Sequence, residues 1–251
     1  MHRSGTAILA LTRGGTVLAG RLASRMAASG VVSGAVEVHV PERFRAALEP
    51  NDAVRVESID KPVSARMSRL FVDRAELVFI ASAGIVVRLI APLLVDKTRD
   101  PAVLVIDEAG RFVIPILSGH LGGANASAQR IAALLGAKAV LTTSSDVQGT
   151  IAVDLLGREL GWRVEADREA LTHAAAAVVN GERVVVIEEA CGREWWPSDR
   201  PLPDNLDPVG SWDRAGEASA YLWVTREGID PALKARLGPR LVVYRPDGSE
   251  S

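Results

Sequence analysis

Leu77-Val78-Phe79-Ile80, the turn Ala81-Ser82-Ala83-Gly84 and the run from Ile85 to Leu94 place a short apolar segment, small residues and a longer apolar segment in succession. The first four residues, β-branched or bulky, fit a buried strand. Gly84–Leu94 fits a helix stopped near Pro92, whose ring removes a donor and crowds the preceding turn. Ala102–Ile106 is again an apolar run of strand length. Two strands joined through a helix pair in parallel, and a parallel sheet carries helices on both faces.

The same alternation extends outward in both directions. Towards the N-terminus, Ala7–Leu11 reads as a strand, and Gly14-Gly15 opens a helix over Thr16–Ala28 with Val17, Leu18, Leu22 and Met26 at helical spacing. Val36–Val40 alternates with period two, which puts His39 on a polar face, and Ser64–Ala75 reads as a helix. Towards the C-terminus, Asp107-Glu108-Ala109-Gly110 joins Ala102–Ile106 to Phe112-Val113-Ile114 as a hairpin loop. A glycine-rich loop, Ser118–Asn125, then leads into a helix over Ala126–Leu135 and a strand at Ala139–Leu141. The expected fold class is α/β, a mostly parallel sheet sandwiched by helices.

The polar run Thr142–Asp146 marks a boundary, so an N-terminal α/β domain is expected over 1–143 and a smaller α/β domain over 144–251. In the second, Ile151–Leu160 and Arg168–Val179 read as helices, and Arg183–Ile187, Tyr221–Val224 and Leu241–Tyr244 as strands. Cys191–Arg214, rich in Pro, Asp and Trp and without periodicity, reads as an ordered surface loop or flap, with a poorly ordered linker as the alternative; Trp195 and Trp196 read as its own anchors, with a partner or macrocycle contact as the competing reading, and Asp247–Ser251 should fray.

Composition narrows the function. Lys+Arg 29 against Asp+Glu 31 leaves a net charge of -2, so no global positive field points to nucleic acid, and 4% aromatic residues argue against base stacking. The single cysteine, Cys191, excludes a disulfide framework and a multi-cysteine zinc site and fits a reducing, cytoplasmic setting. No stretch approaches the ~18 apolar residues of a membrane span. His2, His39 and His173 have no His or Cys neighbours at ligand spacing, so no protein-bound metal is expected.

Ser118-Gly119-His120-Leu121-Gly122-Gly123-Ala124-Asn125 is the segment richest in chemistry. Its glycines let backbone approach a ligand and aim amide groups at it, and an imidazole there titrates near neutrality as a general acid or base. The alternative is a glycine-rich turn with an incidental histidine. Neither a P-loop nor a dinucleotide fingerprint is present. A second turn, Ser82 to Gly84, carries Arg88 one turn into its helix and Asp96-Lys97 beyond it; a solvated Arg88 is the competing reading. Asp107-Glu108 reads as a pair of solvated turn residues rather than paired catalytic acids.

The order Gly84-Ile85-Val86-Val87-Arg88-Leu89-Ile90-Ala91-Pro92, Asp96-Lys97, Asp100-Pro101-Ala102-Val103, Asp107-Glu108-Ala109-Gly110 and Leu117-Ser118-Gly119-His120-Leu121-Gly122-Gly123-Ala124-Asn125 closely resembles the CbiG family, the cobalt-precorrin-5A hydrolases of anaerobic cobalamin biosynthesis. The resemblance is strong from Leu77 to Asp146, with support from Ala7–Leu22 and Gly149–Trp162. It departs at Ala126-Ser127, where the family usually has an acidic and then an aliphatic residue, and at Ala81-Ser82-Ala83-Gly84, where Met-Ala-Thr-Gly is usual.

The resemblance implies a hydrolase that opens a lactone on a cobalt-bearing tetrapyrrole and releases acetaldehyde. The reaction so implied needs a proton carrier, for which His120 is the candidate, and donors to an oxyanion, for which the amides of Gly119, Gly122 and Gly123 are the candidates. Arg88 and Lys97 would pair with substrate carboxylates, Asn125 would cap the helix or bond the substrate, and Ser82, Gly84 and Ser118 would border a cleft between the domains with the two glycine turns. Cobalt arrives with the substrate, so no separate cofactor is implied. A homodimer is compatible with it, as is a separately encoded partner replacing the third, C-terminal domain of many members. The alternative is a noncatalytic tetrapyrrole-binding or channelling subunit; a nucleotide-binding regulator is disfavoured by the absent phosphate motifs.

Overall fold

The computed structural model describes residues 3–30, 35–59, 62–96, 99–120 and 122–246. The expectations placed on His2, on Lys97, on Leu121 and on Asp247–Ser251 lie outside the described residues. The chain separates into two compact units, Met1–Leu141 and Thr142–Ser251.

The first unit runs β1 (Thr6–Ala10), α1 (Arg13–Ser29), β2 (Val36–Val40), β3 (Arg55–Ser58), α2 (Val63–Asp73), β4 (Glu76–Ile80), α3 (Ala83–Ile90), β5 (Ala102–Ile106), β6 (Phe112–Leu117), α4 (Ala124–Leu135) and β7 (Lys138–Ala139). Its seven-stranded sheet has the order β3-β2-β1-β4-β5-β6-β7. β1 to β5 are parallel, β6 is antiparallel to β5, and β7 is parallel to β6. Strand residues alternate between two cores. Ile8, Val38, Val78 and Leu104 pack with Leu22 of α1 and Ile131 of α4, while Leu9, Phe79 and Val105 pack with Met67 and Phe71 of α2 and Val86 of α3. Covering both faces removes apolar surface from water at roughly 25 cal/mol per Å² and explains why five-residue strands suffice.

The second unit runs α5 (Ser144–Gln148), β8 (Arg163–Glu165), α6 (Arg168–Val179), β9 (Val184–Glu188), β10 (Leu206–Val209), β11 (Ala220–Val224), α7 (Pro231–Leu237) and β12 (Leu241–Arg245). Its sheet has the order β10-β9-β11-β12-β8, parallel except for β8. Trp195 and Trp196 are buried, and their indole nitrogens donate to Glu188 and to Arg200 O, so that part of the segment is held by its own tryptophans as expected, but the loop expected through Arg214 is interrupted by the edge strand β10 at Leu206–Val209.

Two further sequence expectations fail here. Ile151–Leu160 is not a helix: its apolar residues fill the core from turns followed by a short 3-10 segment, and Gly157 adopts φ +70 with Trp162 packed where a Cβ would lie. The polar face of β2 is also not solvated. His39 is 1% exposed and Glu37 6%, because α2 covers that face of the sheet.

Burial is possible there because the charges are paired. Glu37 Oε2 accepts from Arg74 Nη2 at 2.8 Å and Nε at 3.1 Å, and lies 3.3 Å from His39 Nε2. Arg55 and Arg66 reach Glu57 at 2.7 and 3.1 Å. Burial, with Arg66 nearby, holds the His39 imidazole below its ordinary 6.5, outweighing the opposite pull of Glu37 and Glu57. Burial pushes the Glu37 carboxyl up, but the hydrogen bonds and charge of Arg74, aided by His39, hold it below the ordinary 4.5.

Both shifts act in the same direction on stability. Once the pH falls through 6.5, the unfolded chain takes up a proton at His39 that the folded chain refuses, and below 4.5 the same holds for Glu37. The first unit is therefore expected to be at full stability above pH 6.5 and to lose it progressively on acidification. Thermal unfolding followed across this range checks the loss, and His39→Gln should flatten its upper part.

Candidate functional site

The glycine-rich loop follows β6, so the direction of β6 decides where it lies. Leu117 faces Val103 and Val113 faces Ile106, which brings the end of β6 to the amino ends of β1, β4 and β5. Ser82 and Gly84 instead follow Ile80, at the carboxyl ends. The two glycine turns are thus separated by a strand of five residues, about 16 Å. The expectation that they border one cleft is corrected by this antiparallel strand. So is the expected position of the loop at the carboxyl end of the parallel strands.

At the amino end, the loop folds back on itself. Ser118 has φ 56, a left-handed conformation rare outside glycine, and its Oγ donates to Asp100 O at 2.9 Å. The first amides of α4 are taken up by the loop's own carbonyls: Ala124 N donates to Ser118 O and Asn125 N to Gly119 O. Gly123 N donates to His120 O at 2.9 Å, so this amide, expected in the oxyanion hole, is committed within the loop. Asn125 does not cap α4. Gly123 holds the N-cap position, and Asn125 is buried one residue inside the helix, its side chain against Gly119. His120 is half-buried, between Gly119 and the Gly122-Gly123 pair that forms the rim of a cavity against α4.

Gly122 shows why the loop needs its glycines. A Cβ there would lie 2.4 Å from Ser118 Cβ and 2.8 Å from Ser118 O, inside van der Waals contact with backbone. Gly122→Ala is therefore expected to reopen the loop and destabilise the first unit by about 1–3 kcal/mol. Denaturant unfolding gives the energy, and faster amide exchange at Gly123 and Ala124 locates it.

At the carboxyl end, order 3-2-1-4-5 reverses between β1 and β4, and the N-termini of α1 and α3 flank that point. Open α/β sheets place ligands in such a crevice. Thr12 Oγ1 accepts from Gly15 N at 3.1 Å and donates to Glu108 Oε1 at 2.8 Å, two residues that sequence reasoning did not connect. The Gly14-Gly15 pair after the first strand was the available signal. Arg88 is exposed and its Nη1 reaches back 3.1 Å to Gly84 O, while Ser82 and Gly84 are exposed. Asp107 holds the hairpin: its Oδ1 accepts from the amides of Arg111 and Phe112, both at 2.7 Å.

Cysteine and metal chemistry find little support among the described residues. Burial, with Glu194 and Glu188 nearby, pushes the Cys191 thiol up to about 12, which leaves it protonated at neutral pH. Among the described residues no three His, Cys, Asp or Glu side chains gather as metal ligands would, and no helix is long and apolar enough to cross a membrane.

Comparison with known proteins adds a second line of observation. A family model described as Cobalamin synthesis G N-terminal matches residues 65–146, and one described as Cobalamin biosynthesis central region matches residues 151–246. A cobalt-precorrin-5A hydrolase of Priestia megaterium is 39% identical over 247 residues, covering 98% of this chain and 63% of its own length. One of Salmonella typhimurium is 37% identical over 184 residues, 69% of this chain and 50% of its own length. A homolog of cobalamin biosynthesis protein G from Sulfolobus solfataricus, of solved structure, matches with a TM-score of 0.49 at 16% identity, covering 96% of this chain and 60% of that one. The chain therefore spans between 50% and 63% of the length of the two hydrolases it matches.

Proposed function

The chain belongs to the CbiG family of cobalamin biosynthesis, and from that premise we propose that it hydrolyses the lactone of cobalt-precorrin-5A and releases acetaldehyde. The observation that carries the reading is the 39% identity maintained over 98% of the chain to a protein named for this reaction.

Water adds to the lactone carbonyl, the acyl–oxygen bond breaks, and a carboxylate and an alcohol result. The alcohol then loses its proton, its carbon–carbon bond to the macrocycle breaks with the electron pair passing into the ring system, and acetaldehyde leaves. Three demands fall on the protein: a proton carrier, donors for the oxyanion, and cations for the substrate's carboxylates.

His120 is the proton carrier of this account, a role worth typically ~10²–10⁴ in rate. It sits in a loop whose backbone is bonded to itself, so the chain that carries the ring is shaped before substrate arrives. With the Gly123 amide committed to His120 O, the oxyanion donors are assigned to Gly119 and Gly122. Asn125, buried behind Gly119, supports the loop. Arg88 lies towards the opposite end of the sheet and serves a peripheral carboxylate rather than the reacting carbonyl. Cobalt belongs to the substrate.

Hydrolysis in heavy-oxygen water tests the bond assignment. Label is expected in the new carboxylate of the macrocycle, which does not exchange oxygen with water; a carboxylate without label would mean that the alkyl–oxygen bond is the one broken and would overturn attack at the carbonyl.

A further inference from the structure

Between α1 and α4, at the amino ends of β1 and β4, the first unit holds an open-mouthed cavity of about 560 Å³, within the range that holds small ligands. Much of its wall is apolar, Met26 and Ile131 included, but Thr6, Glu76, Ser127 and Arg130 also line it. Glu76 is 9% exposed, and its Oε2 accepts from Thr6 Oγ1 at 2.8 Å. Among the described residues no cation pairs with this carboxylate, unlike buried Glu37, which holds Arg74. A buried carboxylate without a cation is unfavourable unless a ligand completes it.

A second observation points the same way. Ser127 is 1% exposed, lines the cavity, and its Oγ has no hydrogen-bond partner. Buried hydroxyls are almost always bonded, so an orphan on a cavity wall marks a place where a partner is missing. Its lone pairs and the Glu76 carboxylate both accept hydrogen bonds, which suits a ligand rich in N–H donors. The same carboxylate repels the acidic side chains of a polycarboxylate tetrapyrrole, so this cavity does not seat them. Arg130 is exposed where it lines the cavity, and its charge there disfavours a second positive group on the ligand.

We propose that this cavity binds a small organic monocation, a primary ammonium on an apolar chain, with the ammonium at Glu76 and Ser127 and the chain along Met26 and Ile131. Gly122 and Gly123 of the glycine-rich loop line the same cavity, so it adjoins the site proposed for hydrolysis, but its test reads binding alone and does not depend on turnover.

Calorimetric titration of the full chain with hexylammonium chloride and with sodium hexanoate, equal in chain length and opposite in charge, tests it. Hexylammonium is expected to bind and hexanoate not. Glu76→Gln, which keeps the contact with Thr6, should weaken hexylammonium by about tenfold or more. Ser127→Ala removes the orphan hydroxyl without adding volume and should weaken hexylammonium while keeping the melting temperature; should Glu76→Gln fail to fold, it and the contrast between hexylammonium and hexanoate on the native chain decide the matter. No binding of hexylammonium to the native chain, equal binding of hexanoate, or hexylammonium affinity unchanged in a folded variant overturns the proposal.

Discussion

His120→Asn is expected to lower acetaldehyde release from cobalt-precorrin-5A by ~10²–10⁴ while leaving substrate affinity nearly unchanged. Asparagine has a similar size and keeps a polar side chain, so the loop built on the Ser118, Gly119 and His120 carbonyls should persist. What it cannot do is exchange a proton near neutral pH. Steady-state rates, substrate binding and thermal unfolding of the variant separate the outcomes. A reduced turnover with normal binding and melting locates the proton carrier; an unchanged turnover removes His120 from the chemistry; and a lost melting transition would make the residue a structural one.

Glu37→Ala is expected to produce the largest loss of stability. The carboxylate is the hub to which Arg74 and His39 converge, and removing it leaves a guanidinium and an imidazole facing apolar sheet. Breaking one partner out of a buried pair costs about 3–5 kcal/mol, and the lower end applies because Arg74 retains 26% exposure. The first unit is thus expected to lose about 3 kcal/mol, read by denaturant unfolding. The combined replacement of Glu37, His39 and Arg74 by Leu or Met should recover most of it, since an apolar set of similar volume carries no desolvation penalty. Failure of the triple variant to recover would mean that the ion pairs themselves, and not the orphaned charges, carry the stability.

How much of this was legible in the sequence depends on position in the sheet. Central strands such as Ala102–Ile106 are buried on both faces and appear as unbroken apolar runs, and β5 begins and ends where that run does. The missed strands, Arg55–Ser58, Arg163–Glu165 and Leu206–Val209, are all edge strands. An edge is half solvated and tolerates polar residues and even Pro208, so the apolar signal is absent. Glu37 and His39 misled for the opposite reason: alternation of polar and apolar residues normally means one wet face, but here arginines replace the water.

The site followed the same logic. The glycine-rich loop stood out by composition, yet composition does not say at which end of a sheet a loop emerges. The hairpin at Asp107–Gly110 held that information, because a hairpin reverses the chain and sends the next loop to the amino ends of the parallel strands. Thr6, Glu76 and Ser127 were invisible as a group, being isolated polar residues brought together by the pairing of β1 with β4 and the packing of α4 over that pair.

The central claim is that this chain performs the hydrolysis. Incubating the full chain with cobalt-precorrin-5A and trapping volatile aldehyde measures it directly. Acetaldehyde is expected mole for mole with lactone opened, and none without protein. A folded chain that binds the tetrapyrrole and releases no acetaldehyde would contradict it and identify a binding or channelling subunit instead.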